Sequence, residues 1–272
     1  MGYDAFNVGQ YDLAAGLDFL KGLMDSTKAH FISANIYDTE TNQPYFERHL
    51  IIERNGIKIG ITGLTTQIPG SEKRLAVKDF LQTGLAEVDL LSSQVDIVVV
   101  LLNAPRVEVL KAQKTFLKAN YIFASRETGR TRPEKPQAEK GPLLYSLNIQ
   151  GKYLGRFDIV IQSPNNPLLD ISGAQLAYSR ITKRMENLQK RDVNKPLEDI
   201  YKDKPNILKM ISTYRDKLSE TRSTLNRAVN TSKYTLVSLS KKLESEPSLL
   251  AYVEQVLKTC ADLDKQSARQ ES

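Results

Sequence analysis

The run Val95-Asp-Ile-Val-Val-Val-Leu-Leu102 constrains this chain more than any other feature. A strand with one wet face alternates apolar and polar residues, whereas an unbroken apolar run belongs to a strand covered on both faces. The segments to either side, residues 78–92 and 107–117, space their apolar residues as amphipathic helices do. A doubly covered strand between two helices predicts an α/β layered architecture with residues 95–102 at the centre of a sheet.

The rest of the first half alternates in the same manner. Phe6-Asn-Val8 reads as a strand ahead of Gly9, followed by a helix over Leu13, Leu17, Leu20 and Leu23; Phe31-Ile-Ser-Ala-Asn-Ile36 reads as the next strand. His49-Leu-Ile-Ile-Glu53 and Lys58-Ile-Gly-Ile-Thr62 flank an Asn55-Gly56 dipeptide, the turn signal of a β-hairpin. Tyr121-Ile-Phe-Ala124 is a short strand. Residues 126–140 hold Pro133, Pro136 and several charges, bury too little apolar surface to pack, and are expected as a surface loop. Residues 143–149 and 156–161 are expected to pair with each other across Gly151-Lys-Tyr-Leu-Gly155 and to end the sheet.

Composition changes at Pro164-Asn-Asn-Pro167, a linker signal. The expected organisation is a partial α/β domain over 1–162 and a helical tail over 163–272. In the tail, Ala174, Tyr178, Ile181, Met185 and Leu188 form one apolar seam, and Ile207, Ile211, Tyr214, Leu218, Thr221, Leu225 and Ala228 form a second. They predict a helical hairpin over about 173–230, although a coiled-coil partner would serve the seams equally well. A short strand is expected at 234–239, then a helix over about 247–265 with Leu249, Val253, Val256, Cys260 and Leu263 on one side.

Charge and residue usage narrow the function classes. The formal net charge is +6, and the 38 Lys and Arg are interleaved with 32 Asp and Glu, without a basic stripe carrying aromatics, so nucleic-acid binding is not expected. No run reaches the roughly 18–20 apolar residues of a membrane-spanning helix. Met1-Gly-Tyr-Asp4 has neither the basic nor the apolar segment of a signal peptide. The single cysteine, Cys260, cannot form an internal disulfide and is expected to pack on its helix's seam, and no Cys/His cluster has zinc-site spacing. His30 and His49 are assigned no role.

Four segments then combine into a resemblance. Gly2-Tyr-Asp-Ala-Phe-Asn-Val-Gly-Gln-Tyr-Asp-Leu-Ala-Ala-Gly16, Phe31-Ile-Ser-Ala-Asn-Ile-Tyr-Asp38, Gly56-Ile-Lys-Ile-Gly-Ile-Thr-Gly-Leu-Thr-Thr66 and Gly151-Lys-Tyr-Leu-Gly-Arg-Phe-Asp158 follow the order and spacing of a known domain. Over residues 1–161 the chain resembles the metallophosphatase domain of bacterial 5'-nucleotidases and UDP-sugar hydrolases, within the calcineurin-like metallophosphoesterases. The resemblance implies layered β-sheets flanked by helices, incomplete at the N-terminus, followed by a mainly α-helical tail.

The same resemblance implies a chemistry in which two divalent metals (Mn, Zn or Mg), held by Asp, Asn and His at strand ends, deliver a hydroxide to phosphorus. The family's Asn-His pair falls on Gln10 and Tyr11, ahead of Asp12; the metal-binding His at the end of the central strand falls on Asn103; the Gly-His-x-His signature falls on Ser125-Arg-Glu-Thr128. Gln10 and Asn103 retain amide oxygens that could reach a metal, but Tyr11 has no imidazole and Arg126, at the first of the two imidazole positions with Thr128 at the second, would repel a dication. The family's two opening motifs would precede Met1. What the resemblance implies is a catalytically degenerate domain acting as a scaffold or interaction module, its open sheet covered by a protein partner, by a separate N-terminal half, or by self-association through the tail. The alternative is a metal-dependent nucleotide hydrolase completed by another segment or chain. Asp12, Asn35 and Asn103 mark the expected cleft, and Arg126, Arg130 and Arg132 are candidates for an anion-binding loop. Family members are typically exported, which suggests a periplasmic or extracellular location.

Overall fold

A computed structural model of the chain describes residues 2–138, 140–163, 166–240 and 243–270. The first elements are β1 (Ala5–Asn7), a 3-10 turn (Gln10–Leu13), α1 (Leu17–Ser26), β2 (His30–Ile32), β3 (Ile36–Asp38), β4 (His49–Arg54), β5 (Ile57–Thr65) and β6 (Leu75–Val77). Then come α2 (Phe80–Ser92), β7 (Ile97–Asn103), α3 (Arg106–Thr115), β8 (Tyr121–Ser125), β9 (Leu143–Ser146), β10 (Tyr153–Val160) and β11 (Leu168–Asp170). The chain closes with α4 (Ser172–Gln189), α5 (Leu197–Ile200), α6 (Pro205–Arg227), β12 (Asn230–Ser238) and α7 (Pro247–Gln270).

The main sheet has the order β4-β5-β7-β8-β9, with β4 antiparallel to β5 and the other pairs parallel. The apolar run thus occupies the middle strand, and its side chains alternate between two covering layers. Val98, Val100 and Leu102 pack toward α2 and α3 with Val88, Leu91, Val109 and Phe116. Ile97, Val99 and Leu101 face the aromatic layer of Tyr121, Phe123, Tyr145, Phe157 and Tyr234. Each fully buried aliphatic side chain stabilises by roughly 1.5–3 kcal/mol, which is why an uninterrupted apolar strand is tolerable only there. A smaller cluster of Val8, Leu13, Leu17, Leu20, Ile36, Phe46 and Leu75 holds α1 beside β3 and β6.

The β4–β5 hairpin turns at Asn55 and Gly56, with φ of 53° and 77°. Two successive positive φ values are the type I′ geometry that the Asn-Gly dipeptide favours. Other expectations are corrected. The first helix starts at Leu17 and not at Leu13, because Gly16, at φ 87°, separates it from the 3-10 turn. The strand expected over 31–36 divides into β2 and β3: Ala34 N–H bonds to Gly63 O (2.7 Å), while the buried Asn35 side chain donates to Thr65 O (2.7 Å) and Lys78 O (2.9 Å). Those side-chain and cross-element bonds replace a regular ladder.

The strands near residues 143–149 and 156–161 do not pair with each other. The residues of β9 are buried throughout and pair in parallel with β8 at the margin of the main sheet, whereas β10 lies in a second sheet of order β10-β12-β11. β11 and β12 therefore come from beyond the boundary expected near residue 165, and the compact units are Met1–Val237 and Ser238–Ser272. The loop of residues 126–140 also packs, through polar contacts: Gln137 exchanges two hydrogen bonds with the Leu144 backbone (3.1 and 3.0 Å), and Thr131 N–H bonds to Ser146 O (2.9 Å). Apolar content alone did not reveal that.

In the first unit α4 packs on α6, with Met185, Leu188, Ile207 and Leu208 around buried Leu197, Tyr201 and Ile211. In the second unit α7 is the one described helix, and Cys260 is exposed on it and not packed as expected. Among the described residues no helix is long and apolar enough to cross a membrane.

Candidate functional site

The C-terminal ends of β5, β7 and β8 lie level, with Thr65 opposite Asn103 and Asn103 opposite Ser125. Parallel strands ending together open a crevice at their carboxyl ends, the usual ligand position in open α/β sheets. The chain leaving β1 folds over this edge, and a cleft of about 1050 Å³ results. Its polar lining includes Asn7, Tyr11, Asp12, Asn103, Arg126 and Thr128, and its apolar wall includes Leu101, Phe123, Tyr145 and Phe157.

Asn103 is the hub. Its Oδ1 lies 3.4 Å from Gln10 N and 3.4 Å from Thr65 Oγ1, and its Nδ2 donates to Ser125 Oγ at 2.9 Å. Its carbonyl accepts from Thr66 N–H at 3.1 Å. Gly9 lies directly against the amide: a Cβ there would sit 2.6 Å from Asn103 Cγ. The glycine is thus required by close approach, because its backbone is extended (φ −119°, ψ −173°) and open to any residue.

Around this hub, Gln10 opens the 3-10 turn with Oε1 buried and without a hydrogen-bond partner among the described residues. Tyr11 is 73% exposed at the mouth. Asp12 Oδ2 accepts the Gly9 N–H at 2.7 Å; burial raises its pKa above the ordinary carboxylate value, against the lowering effect of that hydrogen bond. Arg126 has a φ of 64°, and its Nη1 reaches back to Thr66 Oγ1 at 3.4 Å. A left-handed arginine is strained by about 1–3 kcal/mol, so the fold over-determines this position. The exposed Thr128 accepts at its carbonyl from Asn148 Nδ2, at 2.9 Å.

The structure brings Gln10, Tyr11, Asp12, Asn103, Arg126 and Thr128 to one place but separates the other candidates. Arg130 and Arg132 line a second pocket of about 330 Å³ between α3 and residues 127–138. Asn35 is spent on backbone bonds, including acceptance from Thr65 N–H at 3.0 Å, and is not among the cleft-lining residues. His30 pairs with Glu47 at 3.0 Å and His49 with Glu87 at 2.8 Å, both outside the cleft. Sequence reasoning missed Gly9, Asn148 and the aromatic wall. It also missed Glu87, a wholly buried carboxylate ion-paired with Arg48 and His49, whose place on the inner face of a helix was the available signal.

The divalent metals implied by the resemblance require several anionic or imidazole donors converging on one point. Asn103 offers a neutral amide already engaged with its neighbours, Asp12 is a single carboxylate, and the guanidinium of Arg126 lines the same cleft. Among the described residues no group of three or more His, Cys, Asp or Glu side chains could hold a metal ion. This donor set does not fit a metal pair.

Solved structures share this arrangement of sheets and helices. The sulfate thiohydrolase SoxB of Thermus thermophilus superposes with a TM-score of 0.52 at 18% identity, covering 58% of this chain and 30% of that one. The calcineurin-like phosphoesterase YfkN of Bacillus subtilis superposes with a TM-score of 0.50 at 18% identity, covering 61% of this chain and 60% of that one. The fold is that of the calcineurin-like metallophosphoesterases. Within that fold the chain resembles the 5'-nucleotidases in sequence. It is 37% identical over 67 residues to the 5'-nucleotidase of Vibrio parahaemolyticus serotype O3:K6, a stretch amounting to 25% of this chain and 12% of that protein. It is 39% identical over 66 residues to protein UshA of Salmonella pullorum, or 24% of this chain and 12% of that one. The match thus spans about an eighth of the length of these curated relatives. No protein-family model matches the chain.

Proposed function

We propose that this 5'-nucleotidase-like metallophosphoesterase domain is catalytically degenerate and serves as a scaffold or interaction module in a larger assembly. The observation that carries the reading is the bonding at the metal-motif positions. Asn103 is tied to Gln10, Thr65 and Ser125, and Arg126 to Thr66, so these groups support one another instead of converging on an empty coordination sphere. Interaction is supported by the cleft's apolar wall and by open strand edges, those of β1 and β10 among them. Among the named strands β1 pairs with β2 alone and β10 with β12 alone, and an unpaired edge beside apolar surface recruits a further segment. The partner in this reading is a protein segment that completes the sheet, or a second copy joined through the helical tail. A periplasmic or extracellular site fits the resemblance.

The test is metal content together with hydrolysis of 5'-AMP and of a generic phosphoester in added manganese. The expected result is neither bound metal nor turnover. Metal with turnover would overturn the reading in favour of a metal-dependent nucleotide hydrolase completed by another segment or chain. The buried, unpartnered Gln10 Oε1 is the observation that favours this second reading. The scaffold role is checked separately by sedimentation: a stable lone monomer that shows no uptake of an apolar dye would count against it.

A further inference from the structure

The pocket between α3 and residues 127–138 plays no part in the scaffold reading. Arg106, Arg130, Arg132 and Lys135 line it against one carboxylate, that of Glu127. Glu127 is 6% exposed and already committed: Oε2 accepts from Arg106 Nη1 at 3.2 Å and Oε1 from the Gly129 N–H at 3.1 Å. The other polar groups of the lining are bonded within the protein. Gln113 Nε2 donates to Pro142 O at 3.1 Å, Ser146 Oγ to Gly129 O at 3.0 Å, and Gln137 is held by Leu144.

Arg130, Arg132 and Lys135 therefore face the cavity with no carboxylate partner among the described residues. Arg130 is the anchored member. Its guanidinium lies 4.1 Å over the Tyr153 ring, and its Nε is buried without a hydrogen-bond partner. Guanidinium groups present paired N–H donors that match a tetrahedral oxyanion, and a nearby ammonium adds charge without directional demand.

We propose that this pocket binds a small dianion of the phosphate class, either inorganic phosphate or the phosphate group of a monoester. A cavity of about 330 Å³ is at the small end of ligand sites, so the site recognises the phosphate and leaves the esterified group outside. The site adjoins the large cleft, with Ala124 and Ser146 in both linings, but Arg126 lines only the large cleft, and the site needs neither a metal nor turnover.

Isothermal titration of the full chain with inorganic phosphate, and in parallel with glycerol 3-phosphate, at fixed ionic strength tests this. Saturable binding of inorganic phosphate is expected, weakened at least tenfold by Arg130→Gln. Because Arg130 is partly buried, a second variant guards against misfolding: the double substitution Arg132→Gln, Lys135→Gln changes only exposed residues and is expected to weaken binding by a similar factor. Binding of the monoester as well would identify esterified phosphate as the ligand, and binding of phosphate alone would identify the free anion. Two outcomes overturn the proposal: no saturable phosphate binding, or loss of binding in Arg126→Gln while the double variant binds normally, which would place the anion in the large cleft.

Discussion

Gly9 and Asn103 meet where β1 and β7 end, and their contact sets what the surrounding groups can do. With a Cβ position 2.6 Å from Asn103 Cγ, Gly9→Ala forces the amide off its bonds to Gln10 and Ser125. Overpacking of this kind costs about 1–3 kcal/mol, and urea denaturation should show it. The same substitution in an Asn103→Ala background is expected to recover most of the loss, since the two residues couple through direct contact. Asp12 supplies a pH dependence. Burial raises its folded-state pKa above the ordinary 3.8, so the ionised form carries a penalty that is absent below the unfolded value and complete above the folded one. Asp12→Asn keeps an oxygen for the Gly9 N–H and removes the charge. It should raise the melting temperature near neutral pH, with the gain shrinking as pH falls to about 3, below the ordinary carboxylate value. A gain of equal size at both pH values would show that charge is not its cause.

At the scale of elements, the difference between expectation and structure follows the range of the interactions. The β4–β5 hairpin was legible because two adjacent residues with positive φ carry it, and β7 because its own side chains record cover on both faces. The partners of β9 and β10 were not legible, since pairing is decided by strands remote in sequence. β12 lies between β10 and β11, and Asn230 at its start fastens the junction. The Asn230 side chain, 2% exposed, accepts from Gln162 N–H (2.9 Å) and Ser163 N–H (3.1 Å) and donates to Ser163 O (2.6 Å) and Asn166 O (2.7 Å). Asn230→Ala leaves several of these groups buried and unpaired, and a loss of roughly 3 kcal/mol in chemical denaturation is the expected outcome.

For the whole molecule, the aromatic layer between the two sheets makes the segment after residue 163 part of the phosphoesterase-like unit. Tyr121 donates to Ser232 Oγ at 2.7 Å, Tyr145 to Asp170 Oδ2 at 3.2 Å, and Tyr234 stacks on Phe157. A fragment of residues 1–237 is expected to unfold cooperatively. One of residues 1–162, deprived of β11 and β12, should lose amide-exchange protection in β8 and β9; native protection there would refute this division. Taken alone, the sequence determined the α/β class, the central strand and the hairpin turn, because each rests on the identity or spacing of neighbouring residues. Tertiary structure alone decided that β12 completes the second sheet, that Arg126 parts from Arg130 and Arg132, and that Gly9 backs Asn103. The physical reason is that strand pairing, close approach and cavity lining depend on residues far apart in the chain, and only the folded packing brings them together.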